Sequence, residues 1–135
     1  SKAYGLANLR VGFAVAPIEV ADFLRRTAIP FGVSGISQAA ALASLAAESE
    51  LLARVAALVT ERERVVDAVR AQGWQIEEMH ANFYWLPTNG RSAEIQQACE
   101  AVGVAVRPFP EGLRITVGES EANDRVIAAL APFAP

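Results

Sequence analysis

"GVAVRPFPEGLRITVGESEANDRVIAAL", residues 103–130, holds two β-prone runs, 104–107 and 113–117, punctuated by Pro108, Pro110 and Gly112. In the second run Leu113, Ile115 and Val117 alternate with Arg114 and Thr116. One face of that strand is therefore apolar, and the arginine points away from it. Ser120 stands where a hydroxyl can accept from an orphan amide of a first helical turn, which predicts a helix running to about Leu130. Strand, turn, strand and helix in so short a stretch read as a small sheet layer with helices packed on it, an α+β arrangement.

Moving toward the N-terminus, "NFYWL" (82–86) and "WQIE" (74–77) add two more strand candidates, and Ser92 is placed to cap a helix over 92–102. Residues 37–72 carry a helical pattern, with Leu51, Val55, Leu58, Val65, Val66 and Val69 recurring at three- and four-residue steps, and Gly73 is suited to a left-handed cap. The run Glu61, Arg62, Glu63, Arg64 reads as a solvated face without a chemical role. Before it, residues 9–16 are small, apolar and β-tolerant, predicting a strand that passes at Pro17 into a short helix over 17–26 with Ile18, Val20, Phe23 and Leu24 on one face. "TAIPFGVSG" (27–35) reads as a loop.

Composition narrows the function. The chain has 135 residues, 53% of them apolar and 20% charged, with a formal net charge of −3, which suits a soluble globular domain rather than a disordered tail. A pI near 5.2 and the lack of any long basic run argue against a nucleic-acid partner. The alanine-rich stretch 37–59 is interrupted by Glu48, Glu50 and Arg54, so no membrane partner is expected either. Cys99 is the sole cysteine and His80 the sole histidine, which leaves no disulfide, no cysteine cluster, no metal site and no Ser-His pair to build. With no export leader to read, a cytoplasmic location is expected.

Lys2 is the only lysine, against eleven arginines. A lysine amine can condense with an aldehyde once partial desolvation frees its neutral form, and an arginine, which stays charged, cannot. Eight residues on, Arg10 offers a planar fork for a phosphate, and Gly5 and Gly12 allow close backbone approach to a flat ring. Together these suit a phosphorylated aldehyde cofactor.

The N-terminal stretch, Ser-Lys, two variable residues, Gly-Leu and then Arg-x-Gly, resembles the pyridoxal-phosphate attachment segment of the class I/II (fold type I) aminotransferases. "GVAVRPFPEGLRITVG" and "ANFYWLP" resemble the C-terminal domain of the histidinol-phosphate and aromatic amino acid aminotransferase branch. Where that branch usually has glycine, this chain has Asn8. The resemblance implies a small, mostly antiparallel sheet packed with helices (37–135), preceded by a remnant of the large cofactor-binding domain and the interdomain connection (1–36). It also implies that Lys2 is the Schiff-base lysine, that Arg10 holds the phosphate of pyridoxal 5'-phosphate, and that Arg114 pairs with the substrate α-carboxylate. Arg107 would lie near the substrate side chain, a structural role staying open beside it, and Asn82 would orient backbone at the site, whereas core packing accounts for Phe83 and Trp85.

By the same resemblance the intact protein moves an amino group between an amino acid, aromatic or histidinol phosphate, and a 2-oxo acid such as 2-oxoglutarate, as a homodimer. The chain is expected to be a C-terminal fragment, inactive alone, since the ring-nitrogen and ring-stacking partners lie upstream of the lysine in that family. Two other readings stand beside it: a related pyridoxal-phosphate-dependent amino acid phosphate decarboxylase, and a non-enzymatic module binding a partner through its alanine-rich face.

Overall fold

The computed structural model describes residues 3–135, so the prediction for Lys2 lies outside the described residues. The chain divides into two compact units, 1–55 and 56–135, each described by itself.

In the second unit, β1 (Phe83–Pro87), β2 (Arg107–Phe109) and β3 (Gly112–Thr116) form a sheet of order β1-β3-β2, antiparallel throughout. Alternation sorts its two faces as the sequence predicts. Tyr84 and Leu86 of β1 and Leu113 and Ile115 of β3 are all buried on one face. They pack into a single core with Val65, Val66 and Val69 from the end of the helix Glu48–Ala71, with Ile95 and Cys99 from the helix Ser92–Ala101, and with Val126 and Leu130 from the helix Ser120–Leu130. In chain order these helices are α3, α4 and α5. At the end of α3 Gly73 takes φ +104, and its amide closes onto the Arg70 carbonyl at 2.9 Å, the left-handed cap its position suggested.

Several local expectations need correction. "WQIE" buries Trp74 and Ile76 in alternation, yet forms no strand. Arg70 takes the Ile76 carbonyl with both Nε (3.1 Å) and Nη2 (2.7 Å), occupying the acceptor a ladder would need. Residues 104–106 stay out of β2 because the Val104 amide already donates to the Cys99 carbonyl at the end of α4. Ser92 and Ser120 stand inside the first turns of their helices and cap neither. Ser92 instead shares a buried hydroxyl–hydroxyl bond of 2.6 Å with Thr88. Before α5 the side chain of buried Asn123 accepts from the Gly118 amide at 3.0 Å and donates to the Gly118 carbonyl at 2.9 Å.

The charge run 61–64 is only partly solvated. Arg64 grips Glu61 with two bonds (2.9 and 2.7 Å) and Asp124 with a third (2.8 Å), and Asn123 donates to Glu61 at 2.8 Å, which clasps α3 to α5. Arg62 donates to the Ala81 carbonyl at 3.2 Å.

The first unit holds α1 (Ile18–Thr27), α2 (Gly35–Ala46) and the beginning of α3. The single helix expected over 37–72 is thus two, interrupted at Ala47, and it starts earlier, with Ser34 Oγ accepting from the Ser37 amide as the cap of α2. Residues 9–16 form turn and irregular backbone instead of a strand. A β-tolerant run becomes a strand only beside another, and among the described residues none pairs with it; Phe13 and Val15 are 83% and 91% exposed. The apolar face of α1 is likewise uncovered, with no residue of that helix buried.

Candidate functional site

In the second unit the chemistry gathers on the sheet face opposite the core. Register puts Arg114 of β3 directly across from Trp85 of β1 on one side and from Arg107 of β2 on the other. Phe83 and Phe109 occupy the same face two residues away on their strands, because side chains on one face recur every second residue. Each arginine lies over a phenylalanine ring, Arg114 at 5.3 Å from the Phe83 centroid and Arg107 at 5.4 Å from that of Phe109. Trp85 joins the two halves, its ring centroid 5.5 Å from that of Phe109 and its indole seated over Gly112. A Cβ at Gly112 would come within 2.7 Å of that indole and 2.5 Å of the Leu86 carbonyl, so glycine is what lets the tryptophan lie flat there.

Neither arginine takes part in any ion pair among the described residues. Arg114 is half-buried, and its Nε is shielded from water without a hydrogen-bond partner. Two like charges directly opposite on adjacent strands repel, and no ion pair among the described residues offsets the repulsion. Such a pair is a ready receptor for a carboxylate, which one guanidinium can grip through two parallel bonds. Asn82 is exposed at the entry to β1, and its carbonyl accepts from the Val117 amide at 3.0 Å, extending the ladder beyond the strand.

In the first unit Arg10 closes a turn in which Gly5, Asn8 and Arg10 itself all have positive φ, at 65°, 68° and 50°. An arginine in that region is uncommon and persists where its surroundings fix it. The fixing comes from α2 and the start of α3. Ser37 Oγ donates to the Leu9 carbonyl at 2.7 Å, Ser44 Oγ donates to the Tyr4 carbonyl at 2.6 Å, and Tyr4 donates its hydroxyl proton to Glu48 Oε1 at 2.7 Å. The bond to Glu48 and the nearby carboxylate charge push the Tyr4 phenol above its ordinary pKa. Asn8 explains itself by its conformation: where the related branch carries glycine, asparagine is among the side chains that tolerate left-handed backbone best. Arg10 is exposed and enters no ion pair among the described residues. An apolar hollow of about 330 Å³ opens beside the turn, lined by Tyr4, Leu6, Val11, Phe13 and Leu45 among others.

The structure thus brings Arg107 and Arg114 together in the second unit and holds Arg10 on a buttressed turn in the first. Reading the sequence missed the buttresses, Ser37, Ser44, Tyr4 and Glu48, because nothing local marks a serine in an alanine-rich helix as reaching a carbonyl some 28 or 40 residues away. It also missed Phe83 and Phe109 as arginine supports.

The second unit thus carries an arginine pair in no ion pair among the described residues, and the first unit a strained turn that presents another arginine. Over residues 1–130 the chain matches the family described as aminotransferase class I and II, and it belongs to that family. It is 63% identical over 125 residues to an aromatic amino acid aminotransferase of Streptomyces coelicolor and 53% identical over 125 residues to one of Thermobifida fusca; each match covers 92% of this chain. It spans 35% of the length of each of these relatives. Among solved structures, histidinol-phosphate aminotransferase from Sinorhizobium meliloti in complex with pyridoxal-5'-phosphate superposes with a TM-score of 0.77 at 26% identity, covering 99% of this chain and 39% of that one. A Burkholderia pseudomallei protein classed as an aminotransferase gives 0.87 at 29%, covering all of this chain and 43% of that one. No helix among the described residues is long and apolar enough to cross a membrane.

Proposed function

We propose that this chain is the C-terminal part of a pyridoxal-phosphate-dependent aminotransferase for aromatic amino acids, with a 2-oxo acid such as 2-oxoglutarate as amino acceptor. The observation that carries the reading is the register pair Arg107 and Arg114, without a carboxylate partner among the described residues and framed by Phe83, Trp85 and Phe109. The names of the most similar relatives favour the aromatic substrate over histidinol phosphate. In this reading residues 1–36 belong to the large domain and its connection and 37–135 to the small domain, and the intact protein works as a cytoplasmic homodimer.

Arg114 grips the α-carboxylate through its two Nη donors, and Arg107 faces the far end of the substrate. Asn82 holds the backbone beside them through its bond to Val117. Arg10, on its buttressed turn, has the donor chemistry for a phosphate: a planar guanidinium in no ion pair among the described residues. Pyridoxal phosphate, when bound, supplies the aldehyde for a lysine amine and an electron sink for the pair released at the substrate Cα. Lys2 would supply that amine and the general base for the substrate Cα proton.

The test is Arg114→Ala in the full-length enzyme with product analysis. KM for the amino acid should rise by the equivalent of about 2–5 kcal/mol if the ion pair is buried in the complex, and the product should be the oxo acid. An unchanged KM would overturn the reading. Carbon dioxide as product would point to a decarboxylase instead.

A further inference from the structure

We infer that Phe83 is a positioning residue for Arg114: its ring sets the direction of the guanidinium and so leaves both Nη donors free for a carboxylate. The inference rests on the carboxylate role of Arg114 proposed above. Arginine has a long, flexible side chain, and one that must present a planar fork needs something to hold it. An acidic neighbour would do so while consuming the fork. The structure has none: Arg114 joins no ion pair among the described residues, and its shielded Nε makes no hydrogen bond. What lies against the guanidinium is the Phe83 ring, 5.3 Å from the centroid. Phe83 pairs across the sheet with Thr116 and Arg114 with Trp85, so the two are diagonal neighbours on one face, within reach for an aromatic and a long side chain. The attraction of a cation to a ring face orients the group without neutralising it. Arg107 over Phe109 at 5.4 Å repeats the device on β2, with Trp85 bridging toward it.

The experiment compares Phe83→Leu, Phe83→Tyr and Arg114→Ala in the full-length enzyme, reading KM and kcat for the amino acid and the affinity for the corresponding amine, which lacks the carboxylate. Phe83→Leu should raise KM about 3- to 10-fold. It should leave kcat and amine affinity within roughly twofold of the unsubstituted enzyme. Phe83→Tyr, which keeps the ring, should restore KM. If Arg114→Ala raises KM but Phe83→Leu does not, or if Phe83→Leu weakens amine and amino acid alike, the inference fails and the carboxylate reading stands. If Arg114→Ala leaves KM unchanged, the carboxylate reading falls and takes this one with it. Should Phe83→Leu not fold, the Arg114 Nε–H resonance of the unsubstituted enzyme, assigned with Arg114→Lys, decides: a ring-current displacement supports the contact, and an undisplaced signal overturns it.

Discussion

Arg107 and Arg114 are register partners across β2 and β3, two guanidinium groups on one sheet face with no carboxylate paired to either among the described residues. In the absence of an anion this arrangement costs stability, and its cost can be isolated. A double-mutant cycle with Arg107→Gln and Arg114→Gln cancels what each arginine gains from its own phenylalanine. The coupling should come out repulsive by about 0.2–1 kcal/mol in urea unfolding, because like charges stand directly opposite. It should shrink as salt rises, since both groups reach solvent. An attractive coupling would mean that the pair is held together by something other than a ligand.

Gly112 is the most tightly enclosed of the described glycines. Gly112→Ala drives a methyl against the Leu86 carbonyl, which is backbone, and against the Trp85 indole. The strand cannot retreat without breaking its pairing on both sides, so the indole must swing away. The expected destabilisation is about 1–3 kcal/mol, with a red shift in the emission of half-buried Trp85. A tryptophan spectrum identical to that of the unsubstituted protein would contradict it. Trp74 is buried elsewhere in the core and serves as the unchanged background.

How far the sequence reveals this molecule follows from where each element finds its partners. The β3 alternation is self-contained and folds as its periodicity says, around the buried Leu113 and Ile115, and the helices expected after Ser92 and Ser120 form although neither serine caps them. Residues 9–16 have strand chemistry but no neighbour to pair with among the described residues, so propensity alone misleads. The interruption at Ala47 has no glycine or proline to announce it. At the site, Arg107 and Arg114 are visible as residues, while their opposition depends on register across a turn that composition does not set. Phe83 looked like ordinary packing because a phenylalanine in a strand is nearly always that; only the guanidinium above it says otherwise.

Acid should open the clasp between α3 and α5. The Arg64 bonds first, and the Asn123 bond after them, hold the Glu61 carboxyl down at about 2, against an ordinary 4.5. A depressed folded-state pKa means the unfolded chain takes up the proton first. The contribution is therefore complete above about pH 4.5 and is lost as pH falls from there through about 2. Urea midpoints measured down this range should fall more steeply for the unsubstituted protein than for Glu61→Gln, with the two curves converging at the acid end. Parallel curves would show that Glu61 gains nothing from its partners.

Ser37 ties the Arg10 turn to α2, and its removal should be felt at the cofactor rather than at the substrate. The residue is buried, and its hydroxyl donates to the Leu9 carbonyl, one position before the strained arginine. Ser37→Ala leaves that carbonyl without its partner and lets the positive-φ backbone at Asn8 and Arg10 relax toward commoner conformations. A lost hydrogen bond of this kind is worth about 1 kcal/mol, or roughly a fivefold change in an equilibrium constant. In the full-length enzyme the dissociation constant for pyridoxal phosphate, read by fluorescence titration, should rise by about that factor. The amino acid KM at saturating cofactor should stay put, because Arg107 and Arg114 belong to the other compact unit. If the cofactor constant is unmoved while stability drops, Ser37 only packs α2, and Arg10 does not need its turn held to do its work.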